Sequence, residues 1–247
     1  MSFSLGAEWL KTKNTFIRMI LYSSPILFNL VIFGYINLTN QKISDDSFYF
    51  NYFSILNFLI PFIICFILGL IMNCEREAGN FKNIFGLNRH YYSLLSSKFI
   101  FTYLLLSLIF FINSLLTFIL LKLTFNVSFT AFYIQFLYGF TLTWFSFLTS
   151  FVLYFFLSII FSFITILFVG LTCSLLTAII GLTALGNGIW IFFPFTWGSR
   201  LLMLDIKTSS FMTLFHHLSN NLVYILFLSP IVLFILLIFA CVTLYRK

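Results

Sequence analysis

Long apolar runs separated by short polar segments constrain this chain more than any single motif. Six of these runs reach the length of about 20 residues that an α-helix needs to cross a bilayer. The sequence is 62% hydrophobic and only 8% charged, whereas a soluble domain carries about 25% charged residues. Because so few polar side chains cannot cover a water-soluble particle, the sequence predicts an all-α integral membrane protein. The six predicted transmembrane helices cover residues 19–38, 53–73, 99–121, 132–158, 161–182 and 222–244.

The length of the chain leaves room for one membrane domain without a separate soluble domain. Residues 1–247 are therefore predicted to form a single transmembrane domain. The sequence has no Gly-x-x-x-x-Gly-Lys-Ser/Thr stretch, the phosphate-binding loop of many nucleotide hydrolases. Energy for any work must then come from another subunit or from an ion gradient.

The distribution of lysine and arginine predicts how the chain is oriented. Cytoplasmic loops of membrane proteins carry an excess of these residues. With both termini in the cytoplasm, nine lysine and arginine residues fall inside and four fall outside. The net charge of +7 then reflects orientation rather than nucleic-acid binding. The inner set is Lys11, Lys13, Arg18, Arg76, Lys82, Arg89, Lys98, Arg246 and Lys247, and the outer set is Lys42, Lys122, Arg200 and Lys207.

Residues 4–18, before the first span, combine charged and apolar side chains. Leu5, Trp9 and Phe16 can share one side of a helix, a pattern typical of a helix that lies in the membrane interface. The segment is therefore predicted to be an N-terminal interfacial helix. Its assigned residues are Glu8, Trp9, Lys11 and Lys13.

Residues 74–98 form a charged segment between two spans, where a soluble partner can push on the membrane domain. Glu75 and Glu77 are predicted to begin a helix, because carboxylates are favoured at a helix N-terminus. Phe81 and Phe85 belong to an apolar stripe that can dock into a partner's groove. The alternative is a positively charged loop that contacts lipid headgroups. The residues assigned to coupling are Glu75, Arg76, Glu77, Gly79, Phe81, Lys82 and Phe85.

Residues 183–221, before the last span, are unusually apolar for a loop. They are too short for two further crossings, which need about 40 apolar residues. We therefore predict an outer re-entrant or interfacial hairpin, bent at Pro194 and Gly198, that holds Trp190 and Trp197 at interface depth. The residues assigned to this outer cap are Trp190, Pro194, Phe195, Trp197, Gly198 and Arg200.

The predicted span interiors offer little chemistry. They contain amide and hydroxyl side chains but no Asp, Glu, Lys, Arg or His, whereas proton pumps and intramembrane enzymes usually need ionisable groups there. The adjacent His216 and His217 point in different directions on a helix and would chelate one metal poorly. No catalytic or metal-binding residue is assigned. A membrane-embedded enzyme and a non-transport assembly protein remain the alternatives to a transport subunit.

Three motifs resemble those of a known family of permeases. Residues 7–15 read AEWLKTKNT, residues 75–83 read EREAGNFKN and residues 193–200 read FPFTWGSR. They are similar to the amphipathic opening, the Glu-x-x-x-Gly coupling segment and a Pro-Trp stretch in the last outer loop of those permeases. Phe195 stands where the family pattern suggests Trp or another aromatic residue. The chain thus resembles the type-2 ABC transporter permeases, and among them the lantibiotic-immunity permeases of the nisin, epidermin and mutacin systems.

This resemblance implies six transmembrane helices of the type-2 ABC exporter kind in a bacterial cytoplasmic membrane. It implies a complex with two copies of an ABC ATPase, which would bind ATP and Mg²⁺, and with a second, related six-span permease or a second copy of this chain. The chain itself would perform no bond chemistry and bind no cofactor. Its implied substrate is a cationic amphipathic peptide embedded in membrane lipid. Similar permeases export cytolytic peptides or bacitracin-like antibiotics, which is the alternative substrate class.

Overall fold

The computed structural model describes residues 5–12, 16–39, 45–79, 91–124, 130–187 and 189–207. The secondary structure of this part is helical throughout. A π-helical turn, Thr177–Gly181, continues the sixth helix, and 3-10 turns follow at Ala184–Gly186, Trp190–Phe192 and Pro194–Thr196. The α-helices are α1 (Leu5–Lys11), α2 (Phe16–Thr39), α3 (Asp45–Glu77), α4 (Tyr91–Thr124), α5 (Thr130–Ile160), α6 (Phe163–Leu176) and α7 (Trp197–Lys207).

Five helical stretches in the described part are long and apolar enough to cross a membrane. They coincide with the first five predicted spans and so confirm that the chain is a helical membrane protein. The second is longer than predicted, because α3 extends beyond the apolar run at both ends. The predicted sixth span, 222–244, lies outside the described residues. The five stretches are Ile17–Tyr35, Ser47–Glu77, Leu95–Leu123, Ile134–Ile160 and Phe163–Gly181.

The chain divides into two compact units, and the first comprises Met1–Ile43 and Cys74–Gln135. Within it, α2 packs against α4 through a buried polar network. Asn29 Nδ2 donates to Asn113 Oδ1 at 2.8 Å, and Thr117 Oγ1 donates to Asn29 Oδ1 at 2.9 Å. All three side chains are buried. Because hydrocarbon offers no competing water, such bonds help to hold spans together.

The second unit comprises Ser44–Asn73 and Phe136–Lys247. An aromatic cluster joins α3 to α5 within it, and Gly139 of α5 allows the two helices to approach closely. A Cβ atom at Gly139 would lie 2.6 Å from Phe53 Cε2 and 2.7 Å from Tyr49 Oη. The cluster consists of Phe48, Tyr49, Tyr52, Phe53, Phe136 and Phe140.

A very short connection joins α5 to α6 in the second unit. Only Phe161 and Ser162 lie between the two helices. Ser162 caps α6, since its Oγ accepts from the Thr165 main-chain N–H at 3.4 Å. A Cβ at Gly170 of α6 would lie 2.7 Å from Cys65 Cβ and 3.3 Å from Phe62 Cα, so α6 runs close against α3.

Candidate functional site

The acidic residues of the predicted coupling segment lie in the last turn of α3. The prediction that Glu75 and Glu77 begin a helix is wrong, because α3 runs from Asp45 to Glu77. Neither Gly nor Pro interrupts residues 70–77, so the helix continues past residue 73, the predicted end of the second span. It ends before Gly79, whose φ of 133° is a left-handed conformation that favours glycine. Carboxylates at this end face the negative pole of the helix, where a nearby cation stabilises them.

Lys98, near the start of α4, supplies such a cation. Its Nζ lies 2.6 Å from Glu75 Oε1 and 3.1 Å from Glu8 Oε2. The exposed fractions of the three side chains are 5% for Lys98, 12% for Glu75 and 15% for Glu8. Because an ammonium has three N–H donors, it can serve both carboxylates at once. These three residues form the Lys98 cluster, which joins α1, α3 and α4.

Because the three side chains of the Lys98 cluster are largely buried, removal of one charge destabilises the others. An exposed ion pair contributes about 0–1 kcal/mol, whereas removing one partner of a buried pair costs about 3–5 kcal/mol. Glu8 was predicted to belong to the interfacial helix and Glu75 to the coupling segment. The structure therefore brings two separately predicted elements into one site.

Trp9 connects α1 to the start of α2. Its main-chain oxygen accepts from Thr12 Oγ1 at 2.8 Å and from Arg18 Nη2 at 2.9 Å. The guanidinium carbon of Arg18 lies 4.5 Å from the centroid of the Trp9 ring, a cation–π distance. A single helix over 4–18 was predicted, and this is wrong, because α1 ends at Lys11 and α2 begins at Phe16.

The other predicted residues of these two segments lie near the Lys98 cluster in sequence. Arg76 lies in the last turn of α3 beside Glu75, and Lys11 is the last residue of α1. Lys13, Phe81, Lys82 and Phe85 lie outside the described residues. The docking stripe and the interfacial position of α1 therefore stay predictions.

The described part of the predicted outer cap, residues 183–187 and 189–207, is folded rather than extended. Arg200 organises it from α7. Its Nε and Nη2 donate to the Ile180 carbonyl oxygen at 3.0 and 2.7 Å, and Nη2 also donates to the Thr183 carbonyl oxygen. Nη1 donates to Asn187 Oδ1 at 3.1 Å. Burial lowers the pKa of Arg200, but an arginine keeps its charge in proteins. Arg200 thus neutralises the carbonyl end of the helix formed by α6 and its π-helical turn.

The aromatic residues of the cap pack on this folded segment. Trp190 lies in the second 3-10 turn, and Pro194 begins the third, which also contains Phe195. Trp197 is buried, and its Nε1 donates to the Ile191 carbonyl oxygen at 3.1 Å. Phe192 stays 77% exposed and Leu185 73% exposed, so the segment presents an apolar surface that suits lipid.

Gly198 does not mark a bend as predicted, because it is the second residue of α7. A Cβ there would collide with the side chain of Asn57, so its lack of a side chain allows α7 to approach α3. The interface depth predicted for Trp190 and Trp197 is untested.

Lys98 was predicted only as the end of the coupling segment, not as a site residue. The position of Lys98 at the start of the third span could have indicated its role. The exit of one span and the entry of the next lie at the same membrane face, so Lys98 faces the acidic exit of α3. Among the described residues, no group of three His, Cys, Asp or Glu side chains could hold a metal. The charged side chains of the described spans lie within four residues of a span end.

Comparison with known proteins places this arrangement in a family. The sequence model of the family described as ABC-2 family transporter protein matches residues 4–184. The match includes α1, the Lys98 cluster and all five described spans. No curated protein and no solved structure matches the chain. The chain therefore belongs to the ABC-2 family of transporter proteins, as a membrane permease subunit whose ABC ATPase is a separate subunit.

Proposed function

We propose that this permease expels cationic amphipathic antimicrobial peptides from the membrane, as in lantibiotic or bacteriocin self-immunity. Two copies of the ATPase would drive it, together with a second, related permease or a second copy of this chain. The family match supports the transport role, and the resemblance of residues 7–15, 75–83 and 193–200 supports the peptide substrate.

The observation that carries the transport mechanism is the Lys98 cluster. It lies where α3 leaves its span, and it connects this exit to α1 and α4. We assign the contact with the ATPase to the segment that follows, with Glu75, Arg76, Glu77 and Gly79 at its start. Phe81, Lys82 and Phe85 complete the proposed contact. A displacement of this segment would be transmitted to α1, α3 and α4 through the ammonium group of Lys98.

The polar groups of the described spans support a substrate that partitions into lipid. Away from the span ends they are neutral, and many hydroxyl groups donate to carbonyl oxygens of their own helix, as Thr143 and Ser150 do. A charged binding site is therefore not offered along these helices. An amphipathic peptide that enters from the outer leaflet needs an apolar route with a few amide or hydroxyl groups.

The segment 183–221 would cap this route on the outer face. Arg200 and Trp197 hold its described part in a fixed shape, while its exposed Phe192 and Leu185 would lie in the outer interface. Trp190, Pro194, Phe195 and Gly198 belong to the same proposed cap.

Expression in a peptide-sensitive bacterium tests the proposal. The chain, its ATPase and its companion permease should raise the inhibitory concentration of nisin, and a catalytically inactive ATPase should abolish this protection. The same cells should be challenged with bacitracin as the alternative substrate. Protection against bacitracin alone would replace the peptide assignment, and protection against neither compound would refute it.

Charge reversal at Glu77 tests the coupling role within the same assay. Glu77→Lys should reduce peptide protection while the ATPase still co-purifies with the permease. A Glu75→Lys/Glu77→Lys variant that protects as well as the unaltered chain would remove this segment from the mechanism.

A further inference from the structure

Lys98 occupies an unusual position between two partners that come from distant parts of the sequence. Glu75 lies 23 residues before it and Glu8 lies 90 residues before it. The Glu75 contact is the shorter, at 2.6 Å against 3.1 Å. The Lys98 ammonium therefore makes its closer contact with the C-terminal end of α3, and its longer contact with α1.

Removing one carboxylate or the other has different consequences. Without the Glu8 carboxylate, the Lys98 ammonium still binds Glu75 and connects α4 to α3. Without the Glu75 carboxylate, Lys98 still holds α1 but no longer binds the exit of α3. The cluster thus contains two separable connections that share one cation.

We propose that Lys98 is a positioning residue that makes α1 follow the exit of α3 during the ATP cycle. The inference rests on the proposed coupling role of the segment after α3. When the ATPase displaces this segment, Glu75 moves with it, and Lys98 passes the displacement to Glu8. Because Arg18 binds Trp9 and thereby links α1 to α2, the first span receives this displacement as well.

A spin label on α1 reports this movement without any peptide. Leu10 is 65% exposed and is suited to labelling after Leu10→Cys. The four native cysteines, Cys65, Cys74, Cys173 and Cys241, would be replaced by alanine. The complete complex with its ATPase is reconstituted in liposomes, and the spectrum is recorded with and without ATP.

The expected result is an ATP-dependent spectral change that is lost or strongly reduced in the Glu8→Gln variant. Lys98→Arg retains a cation with several N–H donors, so it should keep the change that Lys98→Met abolishes. Lys122→Met, at the exposed far end of α4, should leave the change intact. Co-purification of the ATPase checks that each variant assembles.

Two outcomes would overturn the inference. One is a label at position 10 that does not respond to ATP although the complex hydrolyses it. The other is a Glu8→Gln variant that responds like the unaltered complex. Neither outcome depends on nisin, so failure of this inference is distinguishable from failure of the peptide assignment.

Discussion

Arg200 donates two hydrogen bonds, from Nε at 3.0 Å and from Nη2 at 2.7 Å, to the main-chain oxygen of Ile180. Twenty residues separate them in the sequence. The forked contact places a permanent positive charge at the carbonyl end of a membrane-spanning helix, where backbone groups of the last turn have no helical partners. It also fixes the start of the segment that we propose as the outer cap.

Replacement of Arg200 should loosen the cap without preventing membrane insertion. Arg200→Lys retains the charge but lacks the planar fork, so it should lower the melting temperature less than Arg200→Met does. Loss of the charged hydrogen bonds is worth about 2 kcal/mol, and this corresponds to about 4–8 °C for a chain of this size. Fluorescence-detected melting in detergent measures the shift. A shift for Arg200→Met no larger than that for the exposed Lys122→Met would contradict the capping role.

Glycine-to-alanine substitutions should have opposite effects at two positions. Gly139→Ala inserts a methyl group against Phe53 and Tyr49 and should destabilise the second unit by about 1–3 kcal/mol. Gly34→Ala, in α2, meets nothing within 4 Å and should stabilise the helix by about 0.5–1 kcal/mol. The same melting assay compares them. Equal effects at the two sites would mean that α3 and α5 do not approach closely at Gly139.

The amide network between α2 and α4 should show measurable coupling. Asn29→Ala and Asn113→Ala each remove the bond between the two side chains, so a double-mutant cycle isolates its contribution. We expect a coupling energy of about 0.6 kcal/mol, the average for bonds between spans. Ser114→Ala serves as the control, because its hydroxyl is bonded to its own helix at Phe111. Strict additivity of the two alanine variants would show that the network does not join the helices.

Cysteine labelling in intact cells should establish the orientation. The asymmetry of lysine and arginine predicts that cysteines introduced at Ser44 and Thr208 react with an impermeant reagent, whereas one at Asn83 does not. Permeabilised cells provide the positive control for position 83. Reaction of that position from outside would invert the topology and would place the Lys98 cluster on the wrong face for an ATPase.

The membrane-spanning helices could be predicted from the sequence because a hydrocarbon environment permits few backbone conformations. Every backbone group in a bilayer needs an internal partner, so apolar runs such as 99–121 identify a helix without knowledge of its neighbours. The end of α3 could not be predicted in this way, because the charges of Glu75 and Glu77 are typical of a helix N-terminus. The dipole rule considers only a residue's own helix, whereas here Lys98, 23 residues further along, binds the Glu75 carboxylate.

The same limit explains the errors in the outer segment. Gly198 was predicted as a bend because glycine often marks turns, yet it lies in α7 and is required by the proximity of Asn57. Arg200 was named as a cap residue, but its contacts with Ile180 and Thr183 depend on the π-helical turn, which no local pattern indicates. The hydrophobic periodicity of the sequence does not reveal which distant residue a single polar side chain will contact.

The two-residue connection at Phe161 and Ser162 limits how the fifth span can move. Two extended residues reach only about 7 Å, so α6 cannot slide along α5 by more than a small fraction of its own length. Because this joint lies at one end of α6, any change in the tilt of α6 would displace its far end most. That end is the π-helical turn Thr177–Gly181, which Arg200 binds through Ile180. The residues that resist such a tilt are therefore at the opposite membrane face from the joint.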